Sequence, residues 1–193
     1  AFRFQPSAVA EALESRQLLS AWGVVAPAAE VGGASPAPGL FIEPDAGRAP
    51  ILNAIASARS EIRVGICNLS DPEVGDALIA AAARGVRVRV IVDRDDYLAK
   101  PSEQAEVDLL RAGGVEVHLS NPVFPQSFPK YILVDQRQVL IMTLCLVTPT
   151  FVDTRDYGLV LNAPRVLRNV AAIFETDWAH SAPPGVEPPP DNP

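Results

Sequence analysis

Hydrophobic and polar positions along this chain follow two periods, one typical of strands and one typical of helices. Alternating or continuous apolar stretches predict strands at residues 40–43, 61–69, 86–93, 115–119, 130–135, 138–144 and 157–162. Apolar residues that recur every three or four positions predict helices at 48–59, from Ser70 or Asp71 up to Gly85, at 102–112 and at 164–178. Strands and helices that alternate with short connections predict an α/β fold, a mixed, largely parallel β-sheet sandwiched by helices.

Proline, glycine and alanine mark the two ends of this pattern. Residues 27–38 (PAAEVGGASPAP) read as a linker, preceded by a short amphipathic helix over 7–22. Residues 182–193 (APPGVEPPPDNP) read as a Pro-rich tail. We therefore expect three parts: a helix and linker at 1–38, a folded domain at 39–181 and a tail at 182–193.

Composition and charge narrow the classes of partner. Hydrophobic residues make up 48% of the 193 residues, enough to bury a core. Sixteen Lys and Arg against 23 Asp and Glu leave a net charge of −7, which argues against a nucleic acid as the main partner. No apolar run approaches the ~18–20 residues of a membrane span. The chain begins with Ala1, so we lean towards an exported or periplasmic protein, although a shortened chain would explain this start equally well.

A spaced set of residues extends over the fifth and sixth predicted strands. Phe128-Pro129-Lys130 is followed by four residues and Asp135, then by six residues and the block Met142-Thr143-Leu144-Cys145. This spacing resembles the motif of the phospholipase D superfamily, which is H-x-K, four residues, D, six residues, then G-S-x-N. Residues 39–181 are similar as a whole to one phospholipase D-like half. Asp156 lies where that family has an acid before its final strand.

The residues of this chain depart from the motif at the positions that carry its chemistry. The resemblance implies a His nucleophile, a second His as proton donor, and Lys and Asn bound to phosphate oxygens. Here Phe128 stands in place of the His, Met142 of the Gly and Cys145 of the Asn. A phenyl ring has no nucleophilic lone pair and no titratable proton, and a thiol cannot replace an amide donor.

The retained motif positions are the candidates for a remaining ligand site. Lys130 and Thr143 are the phosphate-binding candidates, with Asp135 and Asp156 in supporting roles. Lys130 could instead pair with Asp135 or Asp156. The family's mechanism needs no metal and no cofactor, and we predict none. Neither His118 nor His180 has a Lys two positions later, so both are expected to be structural or surface residues.

Two other features leave alternatives open. The acidic cluster at residues 93–96 is expected to be a solvated loop, with a cation site as the alternative. Cys67 and Cys145 lie near predicted strand ends that face the site. We expect two small buried core residues there, with a disulfide or a reactive thiol as the alternative.

Three hypotheses about function follow. The first is a pseudoenzyme that keeps the fold, and with it a pocket for a phosphate-containing ligand, and acts in binding, assembly or regulation. The second is an active phosphodiesterase, acting on a phospholipid or a nucleic-acid backbone, that uses another nucleophile or a second lobe. The third is a purely structural dimerisation module. The partner would be a second copy of the chain or a second phospholipase D-like lobe, and a symmetric dimer would place two Phe128 rings at its centre.

Overall fold

The computed structural model describes residues 39–189, so the helix and the linker predicted within residues 1–38 lie outside the described residues. The strands are β1 (Gly39–Ile42), β2 (Glu61–Ile66), β3 (Arg87–Val92), β4 (Glu116–Leu119), β5 (Lys130–Val134), β6 (Gln138–Met142) and β7 (Tyr157–Leu161). The helices are α1 (Ala49–Ala56), α2 (Pro72–Ala83), α3 (Arg94–Ala99), α4 (Pro101–Ala112) and α5 (Pro164–Ala179). A 3₁₀ helix at Thr148–Phe151 precedes β7.

All seven strands form one mixed sheet in the order β1-β7-β6-β5-β2-β3-β4. The α/β class and the mixed sheet are confirmed. Parallel pairing is less extensive than expected, because only β2–β3 and β3–β4 are parallel and the other four pairings are antiparallel. The reason lies in β5, β6 and β7, since the tight β5–β6 turn can join only antiparallel strands, whereas parallel strands need a long crossover.

Helices cover both faces of the sheet, as the sequence predicts. The larger core cluster joins one face to α1, α2 and α4, with buried residues such as Ile51, Leu78 and Leu110. The smaller cluster joins the other face to α5 through Leu167, Val170 and Phe174. This second face is only partly covered, because α5 packs over β3, β5 and β6 while side chains of β1 and β7 stay exposed.

The helix α2 shows how local sequence sets an element. The carboxylate of Asp71 accepts a hydrogen bond from the Val74 amide, and Pro72 occupies the first turn, where its missing N–H costs nothing. Gly85 follows the helix with a φ of +87°, a conformation that glycine adopts without strain. The predicted bounds of this helix therefore come close to the observed ones.

The acidic cluster at residues 93–96 forms a helix rather than the expected solvated loop. Asp93 is buried and caps α3, accepting a hydrogen bond of 2.8 Å from the Asp96 amide. Its other carboxylate oxygen accepts a hydrogen bond of 2.6 Å from the Ser127 amide. Two backbone donors thus satisfy the buried carboxyl group. Within residues 39–189, no group of three His, Cys, Asp or Glu side chains could hold a metal ion.

Candidate functional site

Most of the motif positions lie at one edge of the sheet. Lys130 at the start of β5 pairs with Ile66 at the end of β2, and Tyr131 pairs with Ile141 near the end of β6. The amide of Thr143, just after β6, donates to the carbonyl of Tyr157 at the start of β7. This edge is where a ligand site of an α/β sheet is expected. Phe128, Lys130, Thr143, Cys145 and Asp156 all belong to it.

Asp135 lies at the opposite end of β5, one strand length away. Its carboxylate accepts hydrogen bonds of 2.8–2.9 Å from the amides of Arg59, Ser60 and Glu61 and from the Ser60 hydroxyl. Burial alone would raise the pKa of this carboxyl, but these hydrogen bonds lower it below its ordinary value. Asp135 therefore anchors the α1–β2 connection and does not contact Lys130.

Lys130 is the cation of the site. Its side chain is half-buried and forms no ion pair within the described part of the chain. The ammonium nitrogen lies 6.0 Å from the centroid of the Phe128 ring, at the outer limit of a cation–π contact. The ring itself is 55% exposed. The two alternatives in which Lys130 pairs with Asp135 or Asp156 are not observed.

The hydroxyl of Thr143 is already engaged. It donates a hydrogen bond of 2.6 Å to one oxygen of Asp156 and accepts one of 3.0 Å from the Tyr157 amide. The other Asp156 oxygen accepts a hydrogen bond of 2.6 Å from the Thr154 hydroxyl. A phosphate oxygen could receive the Thr143 proton only if the bond to Asp156 were broken. Phosphate binding by Thr143 therefore stays a prediction.

Cys145 forms a disulfide with Cys67, the alternative that the sequence left open. The bond joins the end of β2 to the segment after β6, with a Cα–Cα distance of 6.3 Å. Backbone hydrogen bonds hold the same two segments together, from the Leu146 amide to the Asn68 carbonyl and from the Ser70 and Asp71 amides to the Leu146 carbonyl. The sulfur at the family's Asn position is thus part of a cross-link and carries no free thiol.

A buried ion pair fixes the loop that follows the motif. Arg48 donates to both oxygens of Asp71, and the Thr148 hydroxyl donates to the same carboxylate over 2.9 Å. Burial alone would raise the pKa of Asp71, but hydrogen bonds from Arg48, Thr148 and Val74 lower it. The guanidinium of Arg48 also lies 4.9 Å from the centroid of the Phe151 ring. The 3₁₀ helix is therefore tied to the start of α2.

Glu43 is an acid beside the site that the sequence analysis missed. It follows β1, its side chain is fully buried, and neither carboxylate oxygen has a hydrogen-bond partner among the described residues. Burial raises its pKa to about 7; the charges of Asp156 and Asp45 raise it further, while the nearby Gly47 amide and the charge of Arg48 lower it. In the sequence, Glu43 is simply an acid at the end of an apolar strand. Such an acid is more often exposed, so the sequence does not predict that it is buried.

Both histidines have structural contacts. The His118 ring stacks on Trp178 with centroids 3.8 Å apart, and its Nδ1 lies 2.9 Å from the Ser181 hydroxyl. Burial lowers the pKa of His118. His180 lies at the end of α5, with Nδ1 2.8 Å from the Thr176 carbonyl. Neither contact places an imidazole next to Lys130. The two histidines therefore have the structural or surface positions that were expected.

Comparison with known proteins decides the family. The sequence model described as "Cardiolipin synthase, PLD-like domain" matches residues 51–178. The chain belongs to the phospholipase D superfamily. Mitochondrial cardiolipin hydrolase from Mus musculus is 30% identical over 128 residues, which cover 66% of this chain and 56% of that protein. The Homo sapiens protein of the same name is 30% identical over 129 residues, covering 66% of this chain and 49% of that protein. The chain spans about half the length of these relatives.

Solved structures confirm the phospholipase D-like fold. The phospholipase D family member Nuc from Salmonella typhimurium has a TM-score of 0.70 at 22% identity, covering 75% of this chain and 97% of that one. NucT from Helicobacter pylori has a TM-score of 0.67 at 15% identity, covering 76% of this chain and 98% of that one. Within residues 39–189, no helix is long and apolar enough to cross a membrane.

Proposed function

We propose that this phospholipase D-like domain is a catalytically inactive member of its superfamily that acts through binding and assembly. The observation that carries the proposal is Phe128 at the position of the nucleophile, beside Lys130, on a motif whose spacing is intact. A phenyl ring can neither attack phosphorus nor transfer a proton.

The neighbouring side chains offer no substitute nucleophile. Cys145 is oxidised in the disulfide, and the Thr143 hydroxyl is held between Asp156 and the Tyr157 amide. His118 is stacked on Trp178 beneath α5. Lys130 keeps its charge available, so the group that remains at this edge can attract an anion and has no means of cleaving it.

An exposed apolar surface supports an assembly role. The apolar sheet face consists of Leu40, Ile141, Tyr157 and Leu159, which are 38–48% exposed on the part of the sheet that α5 leaves uncovered. Leu159 pairs across the strands with both Leu40 and Ile141, so the face is continuous. Burying such a face is favourable at roughly 25 cal/mol per Å². We propose a second phospholipase D-like unit as its partner, in the simplest case another copy of this chain.

Hydrolysis of a chromogenic phosphodiester tests the inactivity. The native chain, Phe128→His and Lys130→Ala are compared under identical conditions, and we expect the native chain to be inert. Activity that appears in Phe128→His and disappears when Lys130→Ala is added would show that the missing imidazole alone prevents catalysis. Turnover by the native chain that Lys130→Ala abolishes would overturn the proposal and favour an active phosphodiesterase with another nucleophile.

Light scattering of the eluting protein tests the assembly. We expect a dimer for the native chain and a monomer for Leu159→Asp, because a carboxylate on the apolar sheet face would be buried without a partner. Leu109→Asp is the matched control, since Leu109 is exposed on α4 at the other side of the sheet. A native monomer that Leu159→Asp leaves unchanged would contradict the homodimer and leave a second lobe as the partner.

A further inference from the structure

A small cavity lies at the same edge of the sheet as the motif site, but on the face that α5 covers. It is lined by Gly65, Ile91, Ser120, Asn121, Phe124, Ser127, Pro129, Tyr131, Asp177 and His180, and we call it the Tyr131 pocket. Its free volume is about 20 Å³. Successive residues of a strand point to opposite faces, so Tyr131 faces away from the side on which Lys130 lies. The pocket is therefore separate from the motif site.

The hydroxyl of Tyr131 is the unusual group in this pocket. The oxygen is buried and has no hydrogen-bond partner among the described residues. Gly65, the direct cross-strand neighbour of Tyr131, makes room for the ring, because a Cβ at Gly65 would lie 2.7 Å from Cζ and 2.9 Å from the hydroxyl oxygen. A buried hydroxyl without a partner is costly, which points to a group that enters from outside.

The other polar side chains at the α5 end of the pocket are hydrogen-bond acceptors. Asp177 forms no ion pair within the described part of the chain, and burial raises the pKa of its carboxyl. His180 uses Nδ1 on the Thr176 carbonyl, so in the neutral ring Nδ1 carries the proton and Nε2 keeps a lone pair. Among the described residues, no Lys or Arg lines the cavity, although the Arg63 charge is near enough to act on Tyr131. Asp177, His180 and Tyr131 thus bring a carboxyl group, an imidazole and a phenol oxygen to the lining of one pocket, and each of these groups can accept a hydrogen bond.

We propose that the Tyr131 pocket binds the ammonium group of a small primary amine. An ammonium has three N–H donors and a positive charge, which match three acceptors of which one is a carboxylate. Its size matches a cavity that holds about one water-sized group. The Phe124 ring, half exposed at the pocket, faces the rest of such a ligand. A phosphate is excluded, since it is too large and would meet the Asp177 charge.

Titration with methylammonium chloride, followed by the ¹H–¹⁵N NMR signals of Gly65 and Tyr131 in the full chain, tests this proposal. Tetramethylammonium chloride and potassium chloride are the matched salts, because the first has the charge without N–H donors and the second is a bare cation. The variants are Asp177→Asn and Tyr131→Phe, which remove one charge and one hydroxyl while keeping the shape. Asp153→Asn is the control, since Asp153 is an exposed acid outside the pocket.

We expect saturable shifts with methylammonium and none at these signals with the two matched salts. The apparent Kd should rise about tenfold in Asp177→Asn and severalfold in Tyr131→Phe, and stay unchanged in Asp153→Asn. Equal shifts with potassium or tetramethylammonium would overturn the proposal, as would an unchanged Kd in both pocket variants. Absence of any saturable shift with methylammonium would assign the cavity to a bound water and also overturn it. The test does not involve Lys130 or Phe128, so its outcome is independent of the proposed inactivity.

Discussion

The hydroxyl of Thr143 donates a hydrogen bond of 2.6 Å to Asp156 and so joins a position of the motif to the acid that precedes the final strand. Because the Tyr157 amide also donates to the same hydroxyl, these contacts close the base of the long connection between β6 and β7. Two candidate site residues, Thr143 and Asp156, thus hold this edge of the sheet together, and Lys130 remains as the cation of the site.

Replacement of Thr143 by Val should lower the free energy of unfolding by about 1 kcal/mol, because Asp156 and the Tyr157 amide each lose a partner at a partly exposed position. Urea denaturation measures the change. Thr176→Val is the control, since Thr176 is exposed on α5 and its hydroxyl forms no hydrogen bond with the described residues. Equal stability of Thr143→Val and the native chain would mean that the hydroxyl is free for a ligand.

Reduction of the Cys67–Cys145 disulfide should lower the free energy of unfolding by about 2–4 kcal/mol. The two cysteines are 78 residues apart, so the cross-link removes considerable freedom from the unfolded chain. Urea denaturation with and without a reductant measures the loss. The double variant Cys67→Ser with Cys145→Ser should be less stable than the native chain and insensitive to the reductant. A native chain that is equally insensitive would contradict the bond.

Local pattern was enough to predict most elements of this fold. The strand β5, the tight turn after it and the capped helix α2 depend on neighbouring residues, and all three were predicted close to their observed bounds. The phospholipase D-like class followed from motif spacing, which survives even where the catalytic residues do not. Spacing persists because it reflects the length of β5 and of the β5–β6 turn.

The strand pairing and the buried charges could not be predicted in the same way. The antiparallel pairing of β5 with β2 joins residues more than sixty positions apart, and its direction depends on packing rather than on local sequence. Asp93 was expected in a solvated loop because acids are usually exposed. Hydrogen bonds from backbone amides of α3 and of Ser127 stabilise its buried carboxyl group instead. The assumption that acids are exposed also explains why the sequence analysis did not predict the buried Glu43.

Replacement of Asp135 by Asn should destabilise the fold by about 1–2 kcal/mol, because an amide cannot accept all the hydrogen bonds from Arg59, Ser60 and Glu61. Asn tolerates the observed φ of +50°, so backbone strain is not introduced. The pKa of Asp135 is lowered in the fold, so its contribution is present above the unfolded pKa and is lost as the pH falls. Denaturation curves at pH 3 to 7 measure this, with Asp153→Asn as the control. An acid sensitivity identical in both variants would contradict the anchoring role.

Glu103 and Glu43 should make the domain less stable as the pH rises towards neutrality. Glu103 is fully buried on α4 and accepts a hydrogen bond of 2.7 Å from the Leu69 amide. Burial raises its pKa to about 7; the charges of Asp96 and Glu106 raise it further, while the Leu69 bond and Lys100 lower it. Between pH 4.5 and about 7, Glu103 of the folded protein therefore keeps a proton that the unfolded chain has released.

The sign of the effect follows from this difference in bound protons. The contribution of Glu103 to the free energy of unfolding should be largest below a pH of about 4.5. It should fall by about 2–3 kcal/mol up to pH 7 and then level off. Glu103→Gln should flatten part of the fall between pH 5 and 7, because the amide does not titrate, and Glu43→Gln should flatten another part. Glu73→Gln is the control, since the Glu73 side chain is 63% exposed. Thermal unfolding across this range measures the slopes, and a slope as steep in Glu103→Gln as in the native chain would mean that Glu103 is ionised in the fold throughout.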